Sequence, residues 1–231
     1  MNTVGLLGGM SWESTVPYYR LINQRIKERL GGLHSARIVL YSVDFHDIER
    51  LQHVGDWDAA GLMLARAARA LELAGADFIV LCTNTMHKVA PAIELATTLP
   101  LLHIADPTAR QIRSDGHTKV GLIGTLFTME QSFYSERLQQ QGLTVITPPA
   151  HDSAAVHRII YEELCLGQVL TESRATYQRV MTGLAERGAQ AIILGCTEIS
   201  LLIGPSDAVV PIYDTTSIHA LAAADEALGM R

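Results

Sequence analysis

The sequence predicts an α/β fold of two similar lobes, each a mainly parallel sheet of about four strands flanked by helices. Short runs rich in Val, Ile and Leu alternate with amphipathic stretches along the whole chain. The runs are continuously apolar, which suits parallel strands covered on both faces. Several of them also recur, in order, in the second half of the chain.

The expected strands of the first half are Thr3–Leu7, Ile38–Ser42, Phe78–Leu81 and Leu101–Ile104. Those of the second half are Val120–Ile123, Thr144–Thr147, Ile192–Leu194 and Val209–Tyr213. Helical periodicity covers Val16–Leu30, Asp58–Ala74, Met129–Gln141, Ala154–Leu166 and Glu172–Arg187, with Gly75 and Gly188 where helix-ending glycines belong. Val4-Gly5-Leu6-Leu7-Gly8-Gly9 is echoed at Val120-Gly121-Leu122-Ile123-Gly124-Thr125, an offset of 116 from Val4 to Val120. Gly75-Ala76-Asp77-Phe78-Ile79-Val80-Leu81 is echoed at Gly188-Ala189-Gln190-Ala191-Ile192-Ile193-Leu194, an offset of 113 from Gly75 to Gly188. A weaker pair sets Asp106-Pro107-Thr108 against Asp214-Thr215-Thr216. These echoes place the first lobe at 1–105, with the last helix (217–231) packing back on it, and the second lobe at 106–216.

Composition narrows the function. The 231 residues are 48% hydrophobic, so a real core forms. Eighteen Lys and Arg against 24 Asp and Glu, a net charge of −6, speak against a nucleic-acid binder. No segment has the apolar length of a membrane span, and the start lacks a secretory n-region, so a cytosolic protein is expected. Three cysteines, Cys82, Cys165 and Cys196, offer neither a disulfide framework nor a zinc site. The Gly5-Leu6-Leu7-Gly8-Gly9 run is not a GxGxxG motif, and no GxxxxGK[ST] exists. A pyridoxal enzyme needs a buried lysine, and neither Lys27, Lys88 nor Lys119 is well placed for that role.

At the offset of 113, Thr83 pairs with Cys196, each just past the carboxyl end of a buried strand. Open α/β sheets place ligands there. A helix start at Cys196 is expected to favour the thiolate. If the lobes face each other about a pseudo-twofold axis, Thr83 and Cys196 flank one ligand, the arrangement that racemisation at a Cα requires.

Three segments make the likeness specific: Leu6-Leu7-Gly8-Gly9-Met10-Ser11-Trp12-Glu13-Ser14-Thr15, Cys82-Thr83-Asn84-Thr85-Met86-His87 and Leu194-Gly195-Cys196-Thr197-Glu198. Together they resemble the aspartate/glutamate racemase family, nearest its enterobacterial-type, broad-specificity amino-acid racemases. The resemblance implies two pseudosymmetric α/β lobes, no cofactor, a small amino-acid substrate, a homodimer and no nucleic-acid or membrane partner. It also implies that Cys196 is catalytic and faces the L-enantiomer. The family motif has cysteine directly before Asn-Thr, whereas this chain has Thr83. Cys82 lies one residue early, on the opposite strand face, and reads as packing, as does Cys165 within its helix.

Threonine is a far poorer base than a thiolate, so Cys196 is expected to abstract the Cα proton. Thr83 then delivers one to the other face, directly or through water, and the reverse direction is slow. Asn84, Thr85, Thr125, Thr197 and Glu198 are expected to hold the substrate, although Asn84, Thr85 and Thr197 also suit plain helix capping. Met10, after the Gly8-Gly9 turn, and Gln52, in the loop after the second strand, complete the set. His87 is expected above Thr83 on one helix face, tuning the site or closing a buried polar network. His103 and His219 carry little signal. Because only one cysteine keeps its place, an arylmalonate-type decarboxylase and an inactive amino-acid-binding sensor stay open as alternatives.

Overall fold

The computed structural model describes residues 1–230. The chain divides into two compact units, Met1–Ile104 with the stretch from His219 onward, and Ala105–Ile218. The first unit contains β1 (Val4–Gly8), α1 (Trp12–Leu30), β2 (Ile38–Ser42), α2 (Phe45–Val54), α3 (Trp57–Leu73), β3 (Phe78–Leu81), a 3-10 turn at Thr85–Val89, α4 (Ala90–Ala96) and β4 (Leu101–Leu102). The second runs through α5 (Ala105–Ser114), β5 (Lys119–Gly124), α6 (Leu126–Glu130), α7 (Ser132–Gln140), β6 (Thr144–Ile146), α8 (Ala150–Glu162), a 3-10 turn at Leu164–Leu166, α9 (Thr171–Glu186), β7 (Ala191–Gly195), α10 (Ile199–Leu202) and β8 (Ile212–Asp214). α11 (Thr215–Ala227) follows, and its residues from His219 onward belong to the first unit.

Each unit has a four-stranded parallel sheet with the same order, β2-β1-β3-β4 in one and β6-β5-β7-β8 in the other. The registers reproduce the internal repeat. Val4 pairs with Phe78 and Val120 with Ala191, so both sequence offsets hold within the sheets. The third echo is corrected. Ile79 pairs with Leu101 and Ile192 with Ile212, which makes His103, not Asp106, the counterpart of Asp214.

Strand alternation sorts the first sheet's side chains between two apolar layers. Leu7, Ile79 and Leu81 pack with Ile48 and Leu51 of α2 and Leu64, Ala68 and Leu71 of α3. Val4, Leu6, Phe78, Val80 and Cys82 pack with Tyr18, Ile22 and Ile26 of α1 and Ala220, Ala223, Ala224 and Ala227 of α11. In the second unit Ile123, Ile192, Leu194 and Cys196 pack against Val156, Ile159 and Ile160 of α8 and Tyr177, Val180 and Leu184 of α9. Paired arginine–aspartate contacts tie helices within each unit, Arg25 to Asp225 at 3.0 and 3.2 Å and Arg137 to Asp106 at 2.7 and 2.7 Å. No helix among the described residues is long and apolar enough to cross a membrane.

All eight expected strands are present, with bounds shifted by up to three residues. Gly75 and Gly188 take φ of 88° and 91° just past α3 and α9, as expected of helix-ending glycines. Helix bounds differ more: α1 starts at Trp12, four residues before Val16, and α8 at Ala150, four before Ala154. Met129–Gln141 is broken at Gln131, whose extended backbone (φ −91°, ψ 145°) separates α6 from α7. Ala154–Leu166 stops at Glu162, because Glu163 leaves helical geometry and Cys165 lies in the 3-10 turn that follows.

The turn after β1 requires glycine. Gly9 has φ of 92°, and a Cβ there would lie 2.3 Å from the Val43 carbonyl oxygen. Gly9→Ala is therefore expected to lower the unfolding free energy by about 1–3 kcal/mol, measurable by urea denaturation.

Candidate active site

The two rims are built alike from like positions. β3 ends at Leu81, and Thr83 follows two residues on, its N–H donating to the Leu81 carbonyl at 2.9 Å. β7 ends at Gly195, and Cys196 follows on the face of Ile192 and Leu194. Thr83 and Cys196 are 6% and 7% exposed. Cys82 points the other way. It is fully buried against α1 and α11, its thiol directed at the Val80 carbonyl 3.6 Å away, and burial pushes its pKa up.

In the second unit Cys196 donates its thiol proton to Glu198 Oε2 at 2.9 Å, and Thr197 Oγ1 donates to the same oxygen at 2.9 Å. Burial, then the Glu198 charge and Cys165, raise the Cys196 pKa well above its ordinary value. The expected thiolate-favouring helix start is thus corrected. α10 has four residues and begins only at Ile199, while desolvation and the carboxylate both favour the neutral thiol. The buried Tyr177 hydroxyl, raised by burial and then by Cys196, donates to Val156 O at 3.4 Å.

Capping also falls out differently from the residue types. Asn84 precedes the Thr85–Val89 turn without a side-chain cap. Glu198, not Thr197, occupies the cap position of α10, again without a cap bond. Thr125 is the capping residue, accepting from Thr128 N at 3.3 Å at the start of α6. Asn84, Thr85, Thr125 and Thr197 are all buried polar side chains.

In the first unit Gln52 lies on α2, not in a loop as expected. Its Nε2 donates to Met86 Sδ at 2.9 Å, which brings α2 against the turn that follows Asn84. Met10 is buried in the same apolar layer as Leu51 and Met86. His87 stands over Thr83, its Nδ1 2.7 Å from the Thr83 carbonyl oxygen. The direct Cys196–Glu198 contact was missed in the sequence; the only signal for it is the carboxylate two residues beyond a buried thiol. The Lys88 ammonium lies 3.8 Å over the Trp57 ring, and burial lowers its pKa.

Residues 7–223 match the family model described as Asp/Glu/Hydantoin racemase. The chain belongs to this family. The crystal structure of a Yersinia pestis chain, provisionally named an Asp/Glu racemase, is 61% identical with a TM-score of 0.92, covering 99% of this chain and 100% of that one. An aspartate racemase homologue from Pyrococcus horikoshii OT3 is 31% identical with a TM-score of 0.84, at 99% and 100% coverage. The broad-specificity amino-acid racemase RacX of Bacillus subtilis is 25% identical over 219 residues, 93% of each chain. The two parallel sheets flanked by helices are thus the architecture of Asp/Glu racemase structures.

Proposed function

We propose that the chain is a cofactor-independent amino-acid racemase acting on aspartate and glutamate. Cys196 removes the Cα proton of the L-enantiomer, and the opposite face is protonated from the Thr83 side. The observation that carries this reading is the Cys196–Glu198 contact, a buried thiol donating to a carboxylate at 2.9 Å. A thiol raised in pKa is a weak base until its proton leaves, and the Glu198 carboxylate is positioned to receive it. A substrate ammonium entering the site offsets the negative charge left there.

The Cys196 proton passes to Glu198, the Cα–H bond breaks, and an S–H bond forms. An O–H bond of Thr83, or of a water it orients, then breaks as the new Cα–H forms. Solvent restores both sides. Met10, Gln52, Asn84, Thr85, Thr125 and Thr197 hold the carboxylate, ammonium and side chain in this reading. Family membership supports a homodimer and a cytosolic location, and light scattering of the purified chain tests the first.

Chiral chromatography tests the activity. L-aspartate and L-glutamate incubated with the chain are expected to yield the D-enantiomers, unchanged after hydroxylamine treatment that strips pyridoxal phosphate. Carbon dioxide release from an arylmalonate without inversion of any amino acid contradicts the reading, as does binding without exchange.

Glu198→Gln separates the carboxylate's two effects on Cys196. Removing the negative charge stabilises the thiolate, so the midpoint of iodoacetamide alkylation against pH moves down, while burial keeps it above that of a free thiol. Racemisation nevertheless falls by about 10²-fold, because the proton acceptor is lost.

A further inference from the structure

The first unit encloses three buried histidines that this chemistry does not use. His87, His103 and His219 are 2%, 4% and 0% exposed. The His87 ring lies 4.2 Å from that of His103 and 6.1 Å from that of His219, centroid to centroid. The backbone N–H of Ile104 donates to His87 Nε2 at 3.2 Å, and Nδ1 faces the Thr83 carbonyl at 2.7 Å. A ring that accepts at Nε2 and meets a carbonyl at Nδ1 is neutral, with its proton on Nδ1. His219 is fixed similarly, between the Tyr18 hydroxyl at 2.9 Å and the Leu102 carbonyl at 2.8 Å.

We infer that His87 is a positioning residue for Thr83. Its ring ties the backbone that follows β3 to the backbone that follows β4, and the Thr83 N–H is held separately by the Leu81 carbonyl at 2.9 Å. With the backbone held on both sides, the β-branched Thr83 side chain has few rotamers open to it. A neutral hydroxyl has no charge to draw a reacting carbon toward it, so its contribution depends on placement. The inference rests on the reading of Thr83 as the side of proton delivery.

The test is a ratio within one reaction. In D₂O, starting from L-aspartate, D-enantiomer formation reports the Thr83 side. Deuterium in the recovered L-enantiomer reports the Cys196 side. His87→Ala is expected to lower inversion relative to L-side exchange by about tenfold. His87→Asn, whose amide N–H lies near the Nδ1 position, restores the ratio. His87→Gln, which matches the Nε2 end, does not. A ratio unchanged in His87→Ala, with both rates falling together, overturns the inference and leaves the racemase reading standing. A wild-type chain that neither inverts nor exchanges overturns both. Should His87→Ala not fold, ¹⁵N NMR of the wild-type ring decides: a proton on Nδ1 alone is expected, and one on Nε2 contradicts the inference.

Discussion

Cys196→Ala is expected to abolish deuterium exchange at the Cα of L-aspartate and L-glutamate, with kcat falling by about 10³-fold or more. The thiol is the one group at this rim that combines burial, a strand-end position and a carboxylate partner at 2.9 Å. Removing it also takes from Glu198 the thiol donor that it shares with the Thr197 hydroxyl. Structural damage is small by comparison, because alanine deletes a single sulfur from the layer formed with Ile199, Leu202 and Tyr177. Thermal unfolding followed by circular dichroism is expected to shift by a few degrees, consistent with about 1 kcal/mol for one buried atom. Cys196→Ser keeps a donor to Glu198 but remains at least about 10²-fold impaired, since a hydroxyl is a far weaker acid than a thiol. Full exchange in Cys196→Ala contradicts the assignment.

Thr83→Cys is expected to act in the opposite direction. It places a thiol at the position equivalent to Cys196 in the internal repeat, at a similar depth of burial. Deuterium washout from D-aspartate without inversion is expected to rise by at least about tenfold, because a thiol, even one whose pKa burial raises, ionises far more readily than a threonine hydroxyl. The effect belongs in washout and in kcat. Enantiomers have equal free energies, so kcat/KM stays equal in the two directions for any racemase. An unchanged D-side washout in a folded Thr83→Cys chain removes Thr83 from the reacting face.

The sheets were legible because buried parallel strands leave continuous apolar runs, and the repeat offsets carried Thr83 onto Cys196 without any structure. α2 was not legible. Phe45–Val54 is largely polar, and three of its residues, Ile48, Leu51 and Gln52, are buried, so the segment read as a loop. The break at Gln131 is set by backbone dihedrals within an otherwise helical pattern, which periodicity averages over. The state of Cys196 was misread for a related reason. Its pKa follows from depth and from a carboxylate two residues along the chain turning back on it, and residue spacing encodes neither. The His87–Thr83 contact was partly legible, since a four-residue spacing on one turn anticipates it. Its second anchor at Ile104 depends on β4 lying beside β3, which only tertiary pairing supplies.

The most direct measurement is mass-resolved chiral analysis of L-aspartate and L-glutamate after incubation in D₂O with wild-type chain and with Cys196→Ala. D-enantiomer carrying one solvent deuteron at Cα, formed by the wild type and absent with Cys196→Ala, is the predicted result. Inversion that survives in Cys196→Ala, or amino acid recovered from the wild type both uninverted and unlabelled, would contradict it.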